Sequence, residues 1–89
     1  MNLPYIQSEI FRELVGMETR LKRQFRLRIM RSTAKNIHVL VYDMKNWKPY
    51  TDEWYITPIS KMTGKAITAE VNRIWQEIPA ECKREDILK

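Results

Sequence analysis

The chain has 89 residues, 44% hydrophobic and 30% charged, with 16 basic against 11 acidic side chains and a net charge of +5. That length supports one domain (1–89) with one core, burying only about 60% of its unfolded surface, and the evenly placed apolar and aromatic residues argue against a disordered chain. No apolar run nears the ~20 residues that cross a bilayer, so no membrane partner is expected. The single cysteine, Cys82, allows neither a disulfide framework nor a thiolate zinc site within one chain.

The segment Met1-Asn2-Leu3-Pro4-Tyr5 lacks the basic start and apolar block of a secretory signal. With one cysteine, a reducing cytoplasm is the expected location. A first helix should begin near Pro4, whose missing N–H is tolerated in a first turn. Apolar residues then recur at Ile6, Ile10, Leu14, Met17, Leu21 and Phe25 with helical steps, widened by Phe11 and Val15. Gly16 interrupts this stripe, so residues 4–23 form either one helix or two short ones hinged there.

From Phe25 the period changes to two. Phe25, Leu27 and Ile29 alternate with Arg26, Arg28 and Met30, as in a half-buried strand. Residues 32–36 are polar and suit a turn. Ile37-His38-Val39-Leu40-Val41-Tyr42 is the strongest strand signal and should lie centrally in the sheet. Residues 43–52 must contain a turn. Glu53-Trp54-Tyr55-Ile56-Thr57 reads as a third strand ended by Pro58. Thr68 is a candidate helix cap, before a helix whose buried face is Ile67, Val71, Ile74, Trp75 and Ile78. Pro79 breaks that helix and starts a last short turn, with Ile87 and Leu88 able to dock. The expected fold class is α+β: a small antiparallel three-stranded sheet with helices on one face, in the order α-β-β-β-α with an extra C-terminal helical turn.

The charge is unevenly placed. Residues 19–42 hold seven basic side chains (Arg20, Lys22, Arg23, Arg26, Arg28, Arg31 and Lys35) and no acidic one, whereas the remainder is net −2. Such clustering points to a polyanionic partner, nucleic acid or an acidic protein surface. On a strand, Arg26 and Arg28 would share one face, and the arginine fork suits phosphate. The opposing expectation is local neutralisation by Glu9, Glu13 or Glu18 on the first helix. Five of the nine aromatic residues fall between positions 42 and 55. Among them Trp47 and Tyr50 flank Lys48 in a loop, where they would stack a base or anchor a protein, or else close the core of a small domain.

Catalytic chemistry has little support. His38 lies between apolar residues with no nucleophile placed beside it. Asp43, Asp52 and Glu53 read as turn-formers rather than metal ligands. Cys82, next to Lys83 and Arg84, is expected to have a lowered pKa, but has no partner group and reads as inert. There is no phosphate-cradling glycine loop and no zinc spacing, so no cofactor, metal or catalytic residue is expected.

The element order is similar to that of the double-stranded-RNA-binding domain. That family's hallmark is a lysine cluster opening its last helix. Here Lys61 and Lys65 precede Ile67-Thr68-Ala69 without a contiguous cluster. The segments Phe25–Ile29 and Val39–Tyr42 look a little like the central strands of RelE-type ribosome-dependent ribonuclease toxins, but no N-terminal strand of that fold is visible. Sequence therefore favours a small non-catalytic basic accessory protein binding nucleic acid or another polyanionic surface through Arg20, Lys22, Arg23, Arg26, Arg28, Arg31, Lys35, Trp47, Lys48 and Tyr50. The alternatives are a protein-binding inhibitor or adaptor, as a phage or other mobile element would carry, and a RelE-like toxin. An exposed sheet edge and a thin core also favour a homodimer.

Overall fold

The computed structural model describes residues 2–31 and 36–84. Helix α1 spans Leu3–Glu18, strands β1 Phe25–Arg31, β2 Ile37–Asp43, β3 Lys48–Pro49 and β4 Trp54–Ile56, and helix α2 Gly64–Glu77, followed by a 3-10 turn at Ala80–Cys82. The class is α+β, with both helices against one face of an antiparallel sheet. No strand precedes α1 among the described residues.

Helix α1 begins where a side chain can satisfy its first orphan amides. Asn2 Oδ1 accepts the Tyr5 N–H at 2.9 Å, and Pro4 sits in the first turn. Ile6, Ile10, Leu14 and Met17 form the buried stripe. The helix runs through Gly16 without a break, because nothing in the surroundings demands a left-handed residue there. It stops at Glu18, five residues short of the expected end at residue 23. Arg20 N–H and Leu21 N–H bond the Met17 and Glu18 carbonyls, which tightens the chain into a turn. Leu21 keeps the stripe's spacing and is buried, but it does so from an isolated bridge to Lys83. Lys22 N–H donates to the Cys82 carbonyl and Arg84 N–H to the Arg20 carbonyl. The end of the described chain is thus laced to the α1–β1 corner.

Strand β2 is central. It pairs with β1 over seven residues, from Phe25 opposite Asp43 to Arg31 opposite Ile37. Its other side pairs with β3 and then β4, with Tyr42 opposite Pro49 and His38 opposite Tyr55. Between those two short strands the Thr51 hydroxyl accepts the Val41 N–H at 3.0 Å, standing in for a missing ladder bond. The two-residue β3 makes the sheet four-stranded rather than three. Such a fragment, half of it proline, carries no period-2 signal.

Helix α2 is capped by Thr63, whose hydroxyl accepts the Ala66 N–H at 3.1 Å. Thr68 is not the cap. The buried stripe of α2 already begins at Ile67, so helix must exist before it, and Thr68 instead bonds Glu13 Oε1 of α1 at 2.9 Å. Ile78 and Pro79 end the helix and lead into the 3-10 turn. Ile87 and Leu88 lie outside the described residues. The core joins Ile6, Ile10 and Leu14 of α1 and Ile67, Val71 and Ile74 of α2 with Phe25, Leu27, Ile37, Val39, Val41, Trp54 and Ile56 of the sheet. Among the described residues no helix is long and apolar enough to cross a membrane.

Candidate nucleic-acid interface

Strand alternation divides the sheet into two unlike faces. Phe25, Leu27, Ile29, Ile37, Val39 and Val41 turn toward the helices. The intervening residues turn the other way: Arg26, Arg28 and Met30 of β1, His38, Leu40 and Tyr42 of β2, and Tyr55 of β4. Among the described residues no element packs on this second face. The molecule measures 37 × 31 × 16 Å between Cα atoms, and the shortest dimension is that of two layers.

The open face is organised by aromatic contacts. The Arg28 guanidinium lies 5.9 Å from the Tyr42 ring centre. Tyr55 stacks on His38 with ring centres 4.7 Å apart and planes 10° off parallel. The Tyr55 hydroxyl donates to Glu53 at 2.9 Å, which raises its pKa. His38 Nε2 is 3.2 Å from Glu53 Oε2 but out of line for a hydrogen bond, and among the described residues this buried nitrogen has no other partner. Leu40 is only 4% exposed although it lies outside the main core.

Among the described residues α1 does not neutralise the basic run. Glu9 pairs with Arg12, Glu13 accepts from Thr68, and Glu18 accepts the Leu27 N–H at 3.0 Å on the outer edge of β1. Among the described residues none of Arg20, Lys22, Arg23, Arg26, Arg28 or Arg31 makes an ion pair. They nevertheless do not form one patch. Arg26 and Arg28 are on the open face. The Arg26 guanidinium reaches back to the Arg23 and Phe25 carbonyls at 3.0 and 3.1 Å. Arg20, Lys22 and Arg23 occupy the α1–β1 corner. Arg31 departs from the group: it sits at the far end of β1 on the helix side, 5.2 Å from the Phe11 ring. Lys35 lies outside the described residues.

The hairpin aromatics divide as well. Trp47 is 71% exposed at the tip between β2 and β3, with φ of 54°. Tyr50 is anchored instead, edge-on to Phe25 at 4.9 Å with its hydroxyl bonded to Glu81. That carboxylate lifts its pKa to about 12. Lys48 is exposed in β3 and helps hold the Asp43 carboxyl below its ordinary pKa, the larger cause being a hydrogen bond from the Asn46 side chain. Asp43 also accepts the Lys45 N–H at 2.9 Å, so it builds the turn. Cys82 is fully buried, and burial pushes its thiol up to about 11, overriding the adjacent cations.

Sequence reasoning left Tyr42, Tyr55, Trp75 and Lys83 out of the candidate site. The first two could have been found from strand register, since they stand opposite Arg26 and His38. Trp75 and Lys83 reach the site only through the tertiary bridge between Leu21 and Lys83. No protein-family model, no curated protein and no solved structure matches this chain.

Proposed function

We propose that this chain binds single-stranded nucleic acid across the open face of its sheet. The observation that supports this most is the pairing of two guanidiniums, Arg26 and Arg28, with the aromatic rings of Tyr42 and Tyr55 on a face where, among the described residues, they meet no carboxylate and no third layer. An exposed ring stacks unpaired bases whatever their sequence, and arginine forks take phosphate. A duplex keeps its bases stacked internally and cannot use the rings. Single strands are therefore the preferred ligand.

Fluorescence anisotropy with labelled single strands of about 20 nucleotides, longer than a typical single-domain site, tests the reading. Affinity should fall steeply with salt. It should drop on Arg26→Ala with Arg28→Ala, and by roughly 1–3 kcal/mol on Tyr55→Ala. Absence of binding at low salt, or binding indifferent to these substitutions, overturns it.

A second reading rests on Trp47. A non-glycine residue with positive φ costs stability, and this one presents a large ring to solvent at a hairpin tip. That suits an anchor for a protein partner, as in an inhibitor or adaptor. Loss of a purified partner on Trp47→Ala, with nucleic-acid binding intact, would distinguish it.

A further inference from the structure

Outside the sheet face, the strongest concentration of charge is at the α1–β1 corner. Trp75 of α2 carries a cation on its ring twice over. The Arg20 guanidinium is 4.2 Å from the ring centre and the Lys83 ammonium 4.7 Å. Neither makes an ion pair among the described residues. Burial, and then the charge of Arg20, lower the Lys83 pKa, so the two cations crowd one another. Beside them a groove of about 470 Å³ is walled by Leu21, Lys22, Arg23 and Arg84. The backbone fixes this arrangement through the Lys22-to-Cys82 and Arg84-to-Arg20 hydrogen bonds. The corner is also continuous with the sheet face, because the Arg26 guanidinium folds onto the Arg23 carbonyl.

We infer that this corner is a second phosphate-binding site, taking phosphodiesters of the same strand that lies on the sheet and turning it around the α1–β1 corner toward Trp75. The inference rests on the reading above and lengthens its footprint. Two like charges held on one ring without a described carboxylate are relieved by a bound anion. The indole keeps them in place through cation–π attraction while no ligand is present. A second groove, walled by Pro49, Tyr50, Asp52, Trp54, Glu77 and Pro79, carries carboxylates and no cation, and does not suit phosphate.

The salt dependence of binding separates one site from two. A single strand loses about 0.7 in the slope of log K against log salt for each phosphate contact. A strand of about four nucleotides, held by Arg26 and Arg28 alone, should show a slope near −1.4. One of about 20 nucleotides, also held by Arg20, Lys22, Arg23 and Lys83, should approach −4. Arg84, whose Nη1 turns toward the Thr19 carbonyl at 3.4 Å, is not counted. Arg20→Gln with Lys83→Gln should bring the long-strand slope to about −3 and leave short-strand affinity unchanged. Arg20→Lys with Lys83→Arg, which keeps both charges on the indole, should restore it and controls for misfolding. Equal shallow slopes for both lengths, or a long-strand slope unmoved by the double glutamine variant, overturn the second site alone. Failure of both strands to bind overturns it together with the reading on which it rests.

Discussion

The two faces of the sheet are written by alternate residues of the same strands, yet they follow different rules. Phe25, Leu27, Val39 and Val41 are buried against α1 and α2, and their identity is set by packing. Arg26, Arg28, Tyr42 and Tyr55 look away from the core. A solvated face needs only polar residues, and threonine or mixed charge would serve. This one carries like-charged arginines and rings, with a leucine buried among them. Among the described residues no carboxylate answers that charge. The comparison separates residues kept for the fold from residues available for a ligand.

That separation can be broken by stability measurements on neighbouring positions. Phe25→Ala should cost about 3–5 kcal/mol in denaturant unfolding, the range for buried aromatics. The adjacent Arg26→Ala should stay within about 0.5 kcal/mol, as surface changes do. Comparable losses at both would mean that the open face is itself structural. Leu40→Ala sharpens the point. Leu40 is buried but stands outside the core cluster, so a loss near the low end of the leucine range, about 2 kcal/mol, is expected. A loss as large as that at Phe25 would indicate a second rigid core.

Smaller effects probe the ends of the elements. Thr63→Ala should remove about 1 kcal/mol by unsatisfying the first turn of α2. Thr68→Val, which loses only an exposed bond to Glu13, should change little. The reverse order would return the cap to Thr68. Trp47→Gly should stabilise by about 0.5–1 kcal/mol, since glycine accepts positive φ and the ring is mostly in solvent. Destabilisation would show that the ring packs on the hairpin. For Tyr50 the sign follows from its raised pKa. Its hydrogen bond to Glu81 favours the protonated phenol, so that contribution is complete below about pH 10 and is lost as pH rises through about 12. Phenolate absorbance should lose its latest step in Tyr50→Phe. An unchanged titration would contradict the Glu81 contact.

Much of the fold was legible because its signals are local. The stripe from Ile6 to Met17, the alternation from Phe25 to Ile29 and the apolar run at Val39–Val41 each state their element within a few residues. The end of α1 was not legible. Leu21 and Phe25 continue a helical spacing by coincidence, one from a bridge to Lys83 and the other from a strand. The two-residue β3 left no pattern, and the choice between Thr63 and Thr68 depended on where burial begins. Of the candidate site, the alternation placed Arg26 and Arg28 on one face. Arg31 was misplaced because its odd position turns it to the helices. Tyr50 seemed free beside Trp47 until Glu81, 31 residues away, tied it down. Contacts that cross the chain, as between Trp75, Arg20 and Lys83, have no sequence signature.

The central claim is that the uncovered face of the sheet receives the ligand. Amide chemical shifts measured while a single-stranded oligonucleotide of about four nucleotides, too short to reach the α1–β1 corner, is titrated into the labelled protein test it directly. The account predicts shifts concentrated at Arg26, Arg28, Met30, Tyr42 and Tyr55, with Val15 and Asn72 on the helices unmoved. Shifts confined to the helices, or none at saturating oligonucleotide, would contradict it.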